Sequence, residues 1–111
     1  VSRCLTLADL EAEIASKFFF NANHGVLGSR PGFESPGQLP DIPEGFSRLT
    51  FCVLTLHNGH REIGVNYGPV DPAGFSEADA QRYAYEDAIG KLWNPLGFRL
   101  RDELHRAGSA V

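Results

Sequence analysis

The 111-residue chain has no methionine, a single tryptophan and only two cysteines, Cys4 and Cys52. The two cysteines are far apart and outside any CxxC pattern. That excludes a disulfide framework and fits a reducing compartment. Cys52 lies inside an apolar stretch, where a cysteine behaves as a small buried hydrophobe and not as a reactive thiol. No apolar run approaches the ~18 residues of a membrane span, and no signal-peptide pattern opens the chain. The chain begins at Val1, so a trimmed or partly ordered N-terminus is expected. Positive charge is also short: ten Lys and Arg stand against 14 Asp and Glu, a net charge of -4. Bulk binding to nucleic acid or to an anionic membrane normally needs a basic face and is disfavoured. No internal repeat is present.

What remains is an ordinary globular composition, 42% hydrophobic and 22% charged. A chain of this length buries roughly two-thirds of its surface in one modest core, so residues 1–111 read as a single domain. Along it, "TLADLEAEIASKFF" places Leu7, Leu10, Ile14 and Phe18 in one narrow arc of a helical wheel. Thr6 caps that helix, Asp9 stands at the capping-box position and Leu5 with Leu10 forms a staple. The expected helix covers about residues 7–19. Residues 21–46 follow as a long Gly/Pro-rich loop without a period of 2 or 3.6. A loop of this length is either functional or disordered.

"SRLTFCVLTLHNGHREIGVNY" is a β-hairpin. Asn58-Gly59 between two β-rich runs points to a two-residue type I′ turn. That turn sets His57 opposite His60, Thr55 opposite Glu62 and Leu54 opposite Ile63. One face then carries Thr50, Cys52, Leu54 and Leu56 with Arg61, Ile63, Val65 and Tyr67, and is expected to pack on helices. The other carries Leu49, Phe51 and Val53 at one end, and His57, His60 and Glu62 at the tip. A bare hairpin is marginal and its edge invites strand pairing, so Leu49, Phe51 and Val53 are expected to meet a second subunit.

"GPVDPAGF" is a turn-rich connector. "SEADAQRYAYEDAIGKLW" is a helix capped by Ser76, with Asp79 at the box position. Its buried stripe is Ala84, Tyr85, Ala88, Ile89 and Leu92. Arg82–Glu86 and Asp87–Lys91 sit at i, i+4 on a solvated face. Tyr83 points away from the stripe and is a candidate contact residue. Pro95 is expected to stop this helix, and a short helix follows Gly97. The fold class is therefore α+β: helix, long loop, hairpin, helix, short C-terminal helix.

The stretch "LTFCVLTLHNGHREIG … DPAGFSEADAQRYAYEDAIGKLW … LGFRLRDEL" resembles a family of small tailed-phage and prophage proteins. That family is named for gene product forty-nine of one phage and gene sixty-six of another. Leu49 to Gly59, Asp71-Pro72, Phe75, Ala84, Glu86-Asp87-Ala88, Lys91, Trp93, Gly97, Phe98, Leu100 and Arg101 carry the resemblance. Three departures stand out: His60 replaces an aromatic, the proline after Trp93 comes one place late, and residues 30–45 are long and proline-rich. The resemblance implies phage or prophage origin and expression in the bacterial cytoplasm. It implies no reaction, so no catalytic residue is carried over.

Candidate chemistry is sparse. His57, His60 and Glu62 on one hairpin face offer two imidazoles and a carboxylate, an open zinc-like set that a metal-dependent hydrolase would use. Their alternative is a polar hairpin tip. "GVLGSRPG" has glycines and Arg30 that can cradle phosphate, but it follows a helix and lacks the Lys-Ser/Thr of a P-loop. No GxSxG nucleophile elbow occurs. Glu86 and Asp87 diverge on one helix and cannot flank one bond. No cofactor, metal or catalytic residue is expected, and the chain reads as a non-enzymatic binding module. The leading expectation is a homo-oligomer, dimer or higher, acting on a host protein for host takeover or counter-defence. A second is an oligomeric sponge for a small nucleotide signal using Arg30, His24 and Tyr83. A third is a weak nucleic-acid binder using Arg99, Arg101 and Arg106.

Overall fold

The computed structural model describes residues 4–29 and 41–108. Their order is α1 (Leu7–Ala12), β1 (Ile14–Asn21), α2 (Ala22–Gly28), β2 (Thr50–Leu56), β3 (Arg61–Asn66), α3 (Glu77–Gly90) and α4 (Trp93–Arg106). Single 3-10 turns at Phe46–Arg48 and Pro72–Gly74 lead into β2 and α3. The fold is α+β, as expected. The three strands form one antiparallel sheet in the order β1-β2-β3.

The first helix stops far short of residue 19. Its start is as read: the Thr6 amide donates to Asp9 Oδ2 (2.9 Å) and the Asp9 amide to Thr6 Oγ1 (3.2 Å). After Ala12, however, the chain straightens into β1. Three consecutive phenylalanines favour a pleated strand over a helix, and β2 offers them a partner in the register Phe18↔Val53, Phe20↔Phe51. The hairpin thus gains a third strand. The reading of 21–46 as loop is corrected at its start: Asn21 Oδ1 accepts the His24 amide (2.8 Å), the cap that opens α2. Residues 30–40 lie outside the described residues.

The hairpin turn is also corrected. The Gly59 amide donates to the Leu56 carbonyl (2.9 Å) and the Leu56 amide to the His60 carbonyl (2.8 Å). Only Gly59 has positive φ, at 90°, while Asn58 does not. This is a three-residue loop closed by a left-handed glycine. Asn58 uses its side chain instead, with Oδ1 accepting the His60 amide (2.9 Å). The register becomes Thr55↔Arg61, Leu54↔Glu62, Val53↔Ile63, Cys52↔Gly64. A one-residue slip exchanges the faces of the whole return strand. Ile63 and Val65 leave the helix-covered face, and Gly64 takes their place on it.

That exchange explains how α3 packs. A Cβ on Gly64 would lie 1.9 Å from the Ala84 carbonyl oxygen and 2.5 Å from the Ala88 nitrogen. Glycine and two alanines therefore let helix and strand approach backbone to backbone. The core on this side joins Leu10 of α1, Cys52, Leu54 and Leu56 of β2, Ala84, Ala88 and Ile89 of α3, and Leu92 with Leu96 at the start of α4. The expected stripe of α3 holds, with Ala80 added and Tyr85 only partly buried.

Pro95 does not stop a helix here. It sits in the first turn of α4, where an N–H would lack an intrahelical partner anyway. The last helix is consequently longer than expected and starts at Trp93. Glu13 receives Arg99 at 2.6 Å and ties α4 back to the α1–β1 junction. No helix among the described residues is long and apolar enough to cross a membrane.

Candidate binding surface

The sheet has two unlike faces. Along β2 the side chains alternate between buried (Thr50, Cys52, Leu54, Leu56) and partly exposed (Phe51, Val53, Thr55). The buried set faces α1 and α3. On the opposite face, register places Phe18 and Phe20 of β1, Phe51 and Val53 of β2, and Ile63 and Val65 of β3 side by side. Phe18 is 67% exposed and Ile63 48%, and Phe20 stacks obliquely on Phe51 with ring centroids 5.4 Å apart. At ~4.8 Å between strands and ~3.3 Å per residue, three strands over about four residues span on the order of 200 Å². That approaches the few hundred Å² of the largest apolar patches on monomeric proteins, which are often functional. No charged side chain interrupts it; Arg61 stands at one end.

Phe51 and Val53, read from sequence as an oligomer face, belong to this patch. Leu49 does not extend it: it ends the 3-10 turn, half-buried, and its carbonyl accepts the Ala22 amide (2.9 Å). Phe18, Phe20, Ile63 and Val65 were missed. The missing signal was the third strand together with the true hairpin register.

The hairpin tip does not form the expected set. His60 Nε2 and Glu62 Oε2 meet at 3.2 Å on the helix-side face. His57 lies in the loop, its amide donating to the Glu13 carbonyl (3.0 Å). Among the described residues no group of three His, Cys, Asp or Glu is placed to hold a metal ion.

His24 and Tyr83 are not brought together. His24 lies in a small depression with Phe19, Ser47, Thr50 and Glu77. Tyr83 lines a neighbouring one of about 290 Å³ with Asn66, Ser76 and Asp79, and Phe75 borders both. Arg30 lies outside the described residues.

Of the three C-terminal arginines, Arg99 pairs with Glu13 and Glu103, and Arg106 with Asp102 (2.9 Å). The hydrogen bond that Arg99 gives to Glu13 raises the Arg99 pKa further. Arg101 shares a depression of about 280 Å³ with Trp93, Asn94, Gly97 and Phe98.

Burial pushes the Cys52 thiol up to about 11, partly offset by the Lys17 charge. Burial, and then the bond its hydroxyl gives to Glu11 Oε2 (2.6 Å), raises the Tyr85 pKa. A thiol held neutral in this way is a poor nucleophile.

The outer edge of β3 accounts for Asp87 and Lys91 of the sequence pattern noted above. The Val65 amide donates to Asp87 Oδ2 (2.9 Å), Lys91 Nζ donates to the Ile63 carbonyl (2.7 Å), and Asp87 and Lys91 pair with each other at 3.4 Å. Asp87, Ala88 and Lys91 thus bind α3 to the hairpin. They clamp the fold at this edge.

Among the described residues the chain is a small α+β protein whose one sheet has a helix-covered face and an apolar face left open. The chain belongs to the phage protein family of N4 Gp49 and phage Sf6 gene 66, whose model matches residues 5–104. No curated protein and no solved structure matches it.

Proposed function

We propose that this phage protein is a non-enzymatic accessory factor that acts in the bacterial cytoplasm as a homo-oligomer and binds a host protein, for host takeover or counter-defence. The observation that supports it is the bare face of Phe18, Phe20, Phe51, Val53, Ile63 and Val65. Exposed aromatic and aliphatic side chains set together in a rigid sheet are what a protein interface uses as its core. A photo-crosslinking amino acid at Ile63 tests this in host cells, with Glu86 on the exposed side of α3 as the control position. One host protein attached at position 63 and not at 86, and lost when Phe18→Glu is added, is the expected result. Equal labelling at both positions, or no host adduct at 63, overturns it.

A second reading is favoured by the depression at the start of α4. Trp93 and Phe98 are exposed, and Arg101 beside them has no acidic partner among the described residues. Aromatic rings with an arginine can stack and hold single-stranded nucleic acid or a nucleotide. Trp93 is the chain's only tryptophan, so its fluorescence reports the event directly. Quenching by an oligonucleotide that fades with added salt supports this reading, and an unchanged spectrum removes it.

A further inference from the structure

The two edges of the sheet are treated differently by the rest of the chain. On β3, the residues pointing their backbone groups away from β2 are Arg61, Ile63 and Val65. Two of those groups are already taken: the Val65 amide by Asp87 and the Ile63 carbonyl by Lys91. On β1, the Ala22 amide reaches the Leu49 carbonyl, which fixes the ladder phase. Phe20, Phe18 and Ser16 then bond to Phe51, Val53 and Thr55, and alternation turns the amides and carbonyls of Lys17 and Phe19 outward. Among the described residues neither backbone has a partner on that side. The outward amide of Asn21 is taken by His24 Nδ1 at 3.4 Å, and a register shift at Ile14/Ser16 ends the regular ladder at the other end. The bare stretch is therefore short and defined: two donors and two acceptors.

Lys17 is the residue that would ordinarily guard such an edge. Its ammonium is instead drawn over the Tyr85 ring, 4.7 Å from the centroid, on the helix side. The edge is left without a charge guarding it.

We infer that β1 is the interface between two copies of this chain: the bare edges pair antiparallel about a two-fold axis at Phe18, so that Lys17 of each copy bonds to Phe19 of the other and the two sheets join into one of six strands. The register follows from the bonding groups. With Phe18 on the axis, both donors and both acceptors of each chain are satisfied and none is asked of Asn21. Shifting the axis to Lys17 would set two ammonium-bearing side chains directly opposite each other, which is unfavourable. Shifting it to Phe19 would require the Asn21 amide that His24 holds. The occupant is a second copy because the same two residues supply complementary donors and acceptors on both sides, as an isologous contact demands. The joined sheets also present a single apolar face of about twice the area.

This rests on the oligomeric part of the reading above and adds its edge and register. Three measurements test it. In a Cys4→Ser background, Phe18→Cys places two thiols across the axis at a spacing suited to a disulfide. Mild oxidation should link it into a dimer, while Phe20→Cys, set opposite Ser16 of the other copy, should stay unlinked. Lys17→Pro removes only an outward amide, a position where an edge strand tolerates proline. It should weaken the wild-type dimer about thirtyfold through two lost bonds while the circular dichroism is retained. In the wild type itself, the Lys17 and Phe19 amides should exchange slowly with solvent at concentrations where the protein is dimeric and rapidly on dilution. A wild-type monomer at all concentrations overturns both the oligomer and the edge. A dimer that is weakened by Ile63→Lys, with fast-exchanging Lys17 and Phe19 amides, overturns the edge and leaves an oligomer formed through the face.

Discussion

The Val65 amide and the Asp87 carboxylate, 22 residues apart, meet at 2.9 Å across the outer edge of β3. Lys91 closes the same edge one residue pair along, at the Ile63 carbonyl. A helix side chain here does the work of a fourth strand. Asp87→Ala should cost about 1 kcal/mol, because a bond to a half-exposed carboxylate is lost while the freed amide reaches water. Urea unfolding measures the loss. The double variant Asp87→Ala, Lys91→Ala should in addition form larger species on standing, since the edge is then bare; light scattering detects them.

Gly64→Ala should be among the most damaging single changes. The added methyl would meet the backbone of α3 and not a flexible side chain, so helix and strand must separate. A loss of about 3 kcal/mol or more is expected, at the upper end for overpacking. Gly97→Ala is the control. Its Cβ meets nothing within 4 Å and it lies inside α4, so the change should stabilise by about 0.5–1 kcal/mol. Thermal melts of the two variants should shift in opposite directions.

Alkaline pH should destabilise the fold through Cys52. The folded thiol keeps its proton up to about 11, whereas the ordinary value is 9.0. Between those two values the unfolded chain binds fewer protons, so stability is full below about pH 9 and falls as pH rises through about 11. Tyr85 acts in the same direction. Cys52→Ala should flatten the slope of unfolding free energy against pH in the window between 9 and 11. A thiol reagent near neutral pH should modify the exposed Cys4 and spare Cys52.

Arg99→Ala should loosen α4 without unfolding the domain. The Arg99–Glu13 pair is the polar link from α4 to the α1–β1 junction, and both side chains are about one-third exposed. The cost should be about 1 kcal/mol or less in global stability because solvent screens the pair. Hydrogen exchange is the sharper readout: amides from Leu100 to Arg106 should speed up while those of α3 do not.

Local chemistry made some elements legible. The Thr6 and Ser76 caps, the Ala84–Leu92 stripe and the existence of the hairpin rest on interactions within a few residues, and the family pattern spans most of the chain. β1 was hidden because Leu7, Leu10, Ile14 and Phe18 fit one helical arc; only the partner strand, some 35 residues away, decides for extension. The hairpin register was hidden because Asn-Gly serves both a two-residue turn and a three-residue loop. The choice lay with Asn58, which bonds through its side chain and needs no positive φ. That single residue moved Ile63 and Val65 to the open face and separated His57 from His60 and Glu62. The candidate site could not be read until both strands were in place.

The Asp87–Lys91 cover has a consequence for assembly size. A sheet with two bare edges can add copies without limit and grow into a fibre, whereas a sheet with one bare edge is spent after a single union. Under the β1 pairing inferred above, Asp87 and Lys91 obstruct β3 by holding the Val65 amide and the Ile63 carbonyl, so a pair of phenylalanine-rich sheets is disfavoured from growing into a filament.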